Sequence, residues 1–131
     1  MQAVIKVVSK QQLIDIIENS AVDADLNYLD VSGLTDMSNV FKGSKFNGDI
    51  SNWDVSNVVN MSWMFSHSKF NQIISDWDVS SVTNMYEMFY CSQFNGVISQ
   101  WDVSNVVNMM HMFYESQFTG DISNWAKQPP E

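Results

Sequence analysis

The chain has 131 residues, 45% of them hydrophobic, with 15 acidic side chains against 6 basic ones and a formal net charge of −9. That makes one ordinary domain, large enough to bury most of its apolar surface, and no apolar run approaches the roughly 20 residues needed to span a bilayer. Every cation is a lysine and none lies between Lys69 and Lys127, which argues against nucleic acid and anionic membrane as ligands, and the single Cys91 excludes an internal disulfide.

In chain order, the N-terminus MQAVIKVVSKQQ shows neither a basic leader nor an apolar export core, so the chain as written reads as intracellular. Residues 1–21 are expected to form an N-terminal cap. Within it SKQQLIDIIENS, residues 9–20, sets Leu13, Ile14, Ile16 and Ile17 on one side behind Ser9 as the capping residue, which predicts an amphipathic helix.

From residue 22 to 125 the sequence repeats at a fixed interval of 24 residues: rows 22–45, 46–69, 70–93 and 94–117, and a partial row 118–125. Apolar columns run through Phe46/Phe70/Phe94/Phe118, Ile50/Ile74/Ile98/Ile122, Trp53/Trp77/Trp101/Trp125 and Phe65/Phe89/Phe113. Such a period is the signature of stacked units that bury their apolar faces against one another. Within a row the phrase Ile50-x-x-Trp53-x-Val55 alternates as a short strand does, with Trp53 in the buried phase. Val58, Met61, Met64 and Phe65 then form the stripe of a short helix or 3₁₀ segment, with Ser56, Ser80 and Ser104 as its caps. Gly48, Gly96 and Gly120 mark the turn into the next strand. The predicted class is α/β, a leucine-rich-repeat-like right-handed solenoid of short parallel strands and helical segments with an N-terminal capping helix. The tail, residues 126–131, offers no second cap, because Pro129 and Pro130 forbid a helix there. The edge at residues 121–125 is left open, a candidate homodimer contact.

The phrase FNGDISNWDVSNV-x-NM-x-x-MF resembles the repeat of BspA-type leucine-rich-repeat bacterial surface proteins, found in mycoplasma and Listeria lipoproteins, and the resemblance covers residues 22–125. It implies a cell-surface or secreted tandem-repeat protein that binds other proteins and is not an enzyme.

Asp30, Asp54, Asp78 and Asp102 fall in one outward column. Like charges in such a ladder repel, so each is expected either to accept local hydrogen bonds from backbone amides and serine hydroxyls or to form an acidic stripe for a basic partner. A line of single carboxylates supplies too few oxygens for calcium. Stacking Gly43, His67, Cys91 and Glu115 in one column invites a thiol, imidazole or metal reading, but the column changes identity at every row. No metal, cofactor or catalytic constellation is expected. Columns that vary from row to row place Trp63, Tyr86, Tyr90 and Tyr114 away from the Met-Phe stripe as exposed contact anchors, or as rings lying flat over the next row. His111 reads as an exposed helix residue. Two functions follow from these columns. One is a non-enzymatic protein-binding module of the surface-adhesin kind. The other is a small acidic intracellular inhibitor, phage-type or anti-CRISPR-like, that blocks a basic nucleic-acid-binding groove of a partner protein.

Overall fold

The computed structural model describes residues 3–130; residues 1 and 2 of the expected cap and residue 131 of the tail lie outside it. Strand β1 (Ile5–Lys6) opens the chain, followed by helix α1 (Lys10–Glu18) and strand β2 (Leu29–Asp30). Helix α1 forms as its sequence dictates. The Ser9 side chain accepts from the Gln12 amide at 3.1 Å, and the Asn19 amide closes the last turn on the Asp15 carbonyl at 3.1 Å. Leu13 and Ile17, one turn apart, are buried while Gln11, Asp15 and Glu18 face solvent. Lys10 ties the helix to the row below, its ammonium 3.2 Å from the Asp36 carboxylate and 2.9 Å from the Ser38 hydroxyl.

Strand β1 is a rung that the repeat pattern did not disclose. It pairs in parallel with β2, Ile5 opposite Leu29 and Lys6 opposite Asp30, which is the same 24-residue interval. Ile5-Lys6-Val7 therefore stands where later rows carry Leu29-Asp30-Val31 and Trp53-Asp54-Val55, and Val7 is buried like Val31 and Val55. Leu13 and Ile17 keep the same register against Met37 and Phe41.

Below β2 the rows lie one on the next through single parallel bridges, Asp36 to Asn60, Asn60 to Asn84 and Asn84 to Asn108. From each bridge every second residue donates its amide to the following row. Met61 donates to Asn84, Trp63 to Tyr86, Phe65 to Met88 and His67 to Tyr90, at 2.8–2.9 Å. The intervening amides turn back within their own row, Met64 onto Met61 and Ser66 onto Trp63, both at 3.2 Å. This alternation needs left-handed backbone at every fourth residue. It is found at Asn39, Gly43, Trp63, His67, Glu87, Cys91, His111 and Glu115, with φ between 49° and 67°.

Local structure therefore differs from the sequence expectation. No continuous helix runs from Val58 to Phe65, and the Ile50-to-Val55 phrase forms no paired strand among the described residues. Hydrogen bonding supplies the reason at the strand: the Trp53 and Trp77 amides turn back onto the Ile50 and Ile74 carbonyls at 3.2 Å, and the Ile50 carbonyl accepts the Trp77 indole instead of a strand partner's amide. The left-handed residues supply it at the helix, since each diverts an amide from its own turn to the next row. Ser56 and Ser80 cap no helix; their hydroxyls bond Asp54 and Asp78 instead.

Packing follows the columns. Phe41, Phe65, Phe89 and Phe113 stack at 5.2, 5.5 and 5.6 Å with ring planes within 3° of parallel. The second phenylalanine column leans against the first, with Phe65 4.8 Å from Phe70 and Phe89 4.7 Å from Phe94. Each buried indole N–H donates to a carbonyl one row above: Trp53 to Leu26, Trp77 to Ile50, Trp101 to Ile74 and Trp125 to Ile98, at 2.9–3.1 Å. A donor that would otherwise be stranded in the core becomes a row-to-row tie. Gly48 has a steric reason for its identity, because a Cβ there would lie 1.9 Å from the Ala24 carbonyl oxygen.

Candidate functional site

Left-handed residues make one surface of the stack free to vary. In those columns the backbone makes the row-to-row bond and the side chain takes no part in it, so Asn39, Trp63, Glu87 and His111 can follow one another without disturbing the stack. Neighbouring columns bring Lys42, Tyr86, Tyr90, Met110 and Tyr114 to the same side.

Together these residues make one continuous strip. The Trp63 indole donates to Glu87 Oε1 at 3.1 Å and meets Tyr86 edge-on, with ring centroids 5.2 Å apart. Lys42 Nζ lies 5.6 Å from the centre of the Trp63 ring, a cation–π contact. On the other side of Glu87, His111 Nδ1 approaches Oε2 at 3.7 Å. Hydrogen bonding from Tyr86, and then from Trp63 and His111, holds the Glu87 carboxyl below the usual carboxylate range, and the same carboxylate pushes the Tyr86 hydroxyl up. Tyr90 stacks on Tyr114 at 5.9 Å, flanked by His67 edge-on to Tyr90 and His111 tilted against Tyr114, each at 5.3 Å. Of the four aromatics named from sequence, Tyr114 is exposed while Trp63, Tyr86 and Tyr90 are half-buried, each with one face or edge against its neighbour. They are both contact rings and packing rings.

The four aspartates form a separate group. Asp54, Asp78 and Asp102 are exposed and Asp30 is half-buried. Each Oδ1 accepts from the backbone amide of the serine two residues on, at 2.9–3.0 Å. Ser32, Ser56 and Ser80 add their hydroxyls at 2.5–2.6 Å. These hydroxyl and amide donors hold Asp30, Asp78 and Asp102 below the ordinary range. Local bonding of this kind shapes the turn and is taken by Oδ1 of each aspartate. Lys6 stands at the head of the column, paired through the backbone to Asp30.

Sequence reasoning named the rings but not the charges between them. Lys42, Glu87 and His111 became part of the strip only through contacts one row away, and their 24-residue register was the available signal. His111 is not on a helix; it holds left-handed backbone and faces Glu87. Among the described residues no group of histidine, cysteine and carboxylate side chains could hold a metal ion, the Gly43, His67, Cys91 and Glu115 column included. No described helix is long and apolar enough to cross a membrane.

A family model described as Mycoplasma protein of unknown function, DUF285, matches residues 11–125. The chain belongs to this family. The match begins inside α1 and ends at Trp125, so the DUF285 unit takes in the helix as well as the rows. At this level the resemblance noted from the repeat holds, that of a repeat protein from a mycoplasma family. No curated protein matches the DUF285 chain, and no solved structure matches it.

Proposed function

We propose that the chain is a non-enzymatic protein-binding module, a repeat solenoid of the BspA-like, leucine-rich-repeat-like kind, which presents the strip around Trp63, Tyr86, Tyr90 and Tyr114 to a partner protein in the manner of a surface adhesin. One observation carries this reading. The apolar residues that repeat are consumed by the stack, whereas several residues that differ between rows gather into one aromatic strip with Lys42, Glu87 and His111 set among the rings. Tyrosine, tryptophan and a few fixed charges are the composition of interface hot spots. Intrachain contacts already restrict these rings, so little side-chain freedom is lost on binding.

A second reading rests on the aspartate column, whose exposed Asp54, Asp78 and Asp102 on a chain of net charge −9 would suit a basic groove, as in a small acidic inhibitor. One experiment separates the two. Immobilised wild type, Trp63→Ser/Tyr86→Ser/Tyr114→Ser and Asp54→Asn/Asp78→Asn/Asp102→Asn are exposed to detergent extracts of host cells, and saturable binders are identified by mass spectrometry. The expected result is a partner held by wild type and by the asparagine variant but released by the serine variant. Loss only in the asparagine variant and at high salt moves the function to the acidic column, and the absence of any saturable binder to wild type overturns both.

A further inference from the structure

Asn47, Asn71 and Asn95 recur at the row interval. Each Oδ1 accepts the backbone amide of the matching residue one row below, Asn71, Asn95 and Thr119 in turn, at 2.8 Å. Asn95 also accepts the Thr119 hydroxyl, at 3.3 Å. Two of the three asparagines precede a glycine, Gly48 and Gly96, while Asn71 precedes Gln72. An asparagine followed by glycine has a reaction open to it, because a glycine carries no Cβ to shield its nitrogen and its backbone turns freely toward the preceding side chain.

The two asparagine–glycine pairs are held differently. In both, the glycine nitrogen donates to no acceptor among the described residues. Around Gly48, however, the Asn47 amide donates to the Val22 carbonyl at 2.6 Å, the Asp49 amide to Ala24 at 3.1 Å, and the Leu26 amide to Asp49 at 3.0 Å. Gly48 is buried between these backbone ties, without room for even a Cβ. Around Gly96 the ties are weaker: the Asn95 amide donates to the Asn71 side chain, and the Val97 amide, the counterpart of Asp49, finds no acceptor among the described residues. Asn95 is exposed, and the pair opens on a groove of about 460 Å³ shared with Gln72, Ile73 and Val97, which admits water.

We propose that Asn95 with Gly96 is a site of spontaneous deamidation in the folded protein, and that the fold shields the same dipeptide at Asn47. The Gly96 nitrogen bonds to the side-chain carbonyl carbon of Asn95, the bond from that carbon to the side-chain nitrogen breaks, and ammonia leaves with the Gly96 proton. Water then opens the cyclic imide at either carbonyl, leaving aspartate or isoaspartate, with nothing oxidised or reduced. Ring closure needs the main chain around Gly96 to turn, which the free Gly96 and Val97 amides allow and the bonds at Asn47 and Asp49 resist. Either product adds a negative charge. In the isoaspartyl form the main chain runs through the former side-chain carbon, which withdraws the acceptor from Thr119.

The test holds the folded chain in mildly alkaline buffer at body temperature and digests samples with pepsin in acid, where the reaction stops. Mass spectrometry with electron-transfer fragmentation then reads each asparagine and tells isoaspartate from aspartate. Asn95 should convert faster than Asn47 by about tenfold or more, while Asn71 stays intact over the same period. In urea strong enough to unfold the chain, Asn47 should rise to the rate of Asn95 and Asn71 should remain slow, which separates protection by the fold from the chemistry of the dipeptide. Gly96→Ala should slow conversion of Asn95 severalfold. In the isoaspartyl fraction the Thr119 amide should exchange its hydrogen faster than in fresh protein. Conversion of Asn47 at the rate of Asn95 in the folded chain overturns the proposal, and so does an Asn95 that persists as long as Asn71.

Discussion

Phe89 is the sharpest test of the idea that stability comes from the aromatic columns. Its ring is fully buried, sandwiched between Phe65 at 5.5 Å and Phe113 at 5.6 Å, and touched by Phe94 at 4.7 Å. A buried phenylalanine removes about 150–250 Å² of apolar surface from water, worth about 4–6 kcal/mol at 25 cal/mol per Å² before the retained Cβ is subtracted. Measured losses for phenylalanine to alanine in cores are about 3–5 kcal/mol, and rings on both faces leave this site little room to collapse, so Phe89→Ala should fall in the upper half of that range. Phe113→Ala, with a stacked neighbour above and none below, should lose about 2 kcal/mol. Urea unfolding followed by tryptophan fluorescence and by circular dichroism gives both values, and coincidence of the two probes establishes that the rows unfold together. If Phe89→Ala loses no more than Phe113→Ala, or less than about 1.5 kcal/mol, the columns are not what holds the rows.

Other outcomes follow from single contacts. Trp77→Phe keeps a ring but removes the indole bond to Ile50, and should lower stability by about 1–2 kcal/mol in the same urea assay. Gly48→Ala should reduce the melting temperature far more than Gly96→Ala, since a Cβ clashes with a backbone oxygen at 1.9 Å in the first and only touches one at 3.6 Å in the second. The Ser66 hydroxyl is buried without a hydrogen-bond partner among the described residues, so Ser66→Ala should leave stability unchanged or raise it by about 1 kcal/mol. Asp30, Asp78, Asp102 and Asp121 are held below the ordinary range by their serine partners. A depressed folded-state pKa gives stability that is present above the unfolded value, about 3.9, and is lost as pH falls through the folded value. Thermal midpoints should therefore hold through neutral pH and drop in acid below about pH 4, and a midpoint that rises there would show that repulsion within the column outweighs its hydrogen bonds.

The period of 24 residues, the buried columns of Phe, Ile, Trp, Val and Met, and the Ser9-capped helix were determined by the sequence alone, because burial at a repeated position leaves the same type of side chain at every row. Two decisions were left to tertiary structure. The backbone path was one: a Val58-Met61-Met64-Phe65 spacing suits a helix in isolation, but left-handed residues at Trp63 and His67 send alternate amides to the next row, and their energy is recovered only when that row is present. The makeup of the candidate site was the other. Lys42, Trp63, Glu87 and His111 are far apart in sequence and of unlike chemistry, and they become neighbours only because stacking converts a separation of about one row into van der Waals distance. Repetition therefore made the scaffold legible from sequence, while the surface it carries, defined by what does not repeat, took its meaning from the fold.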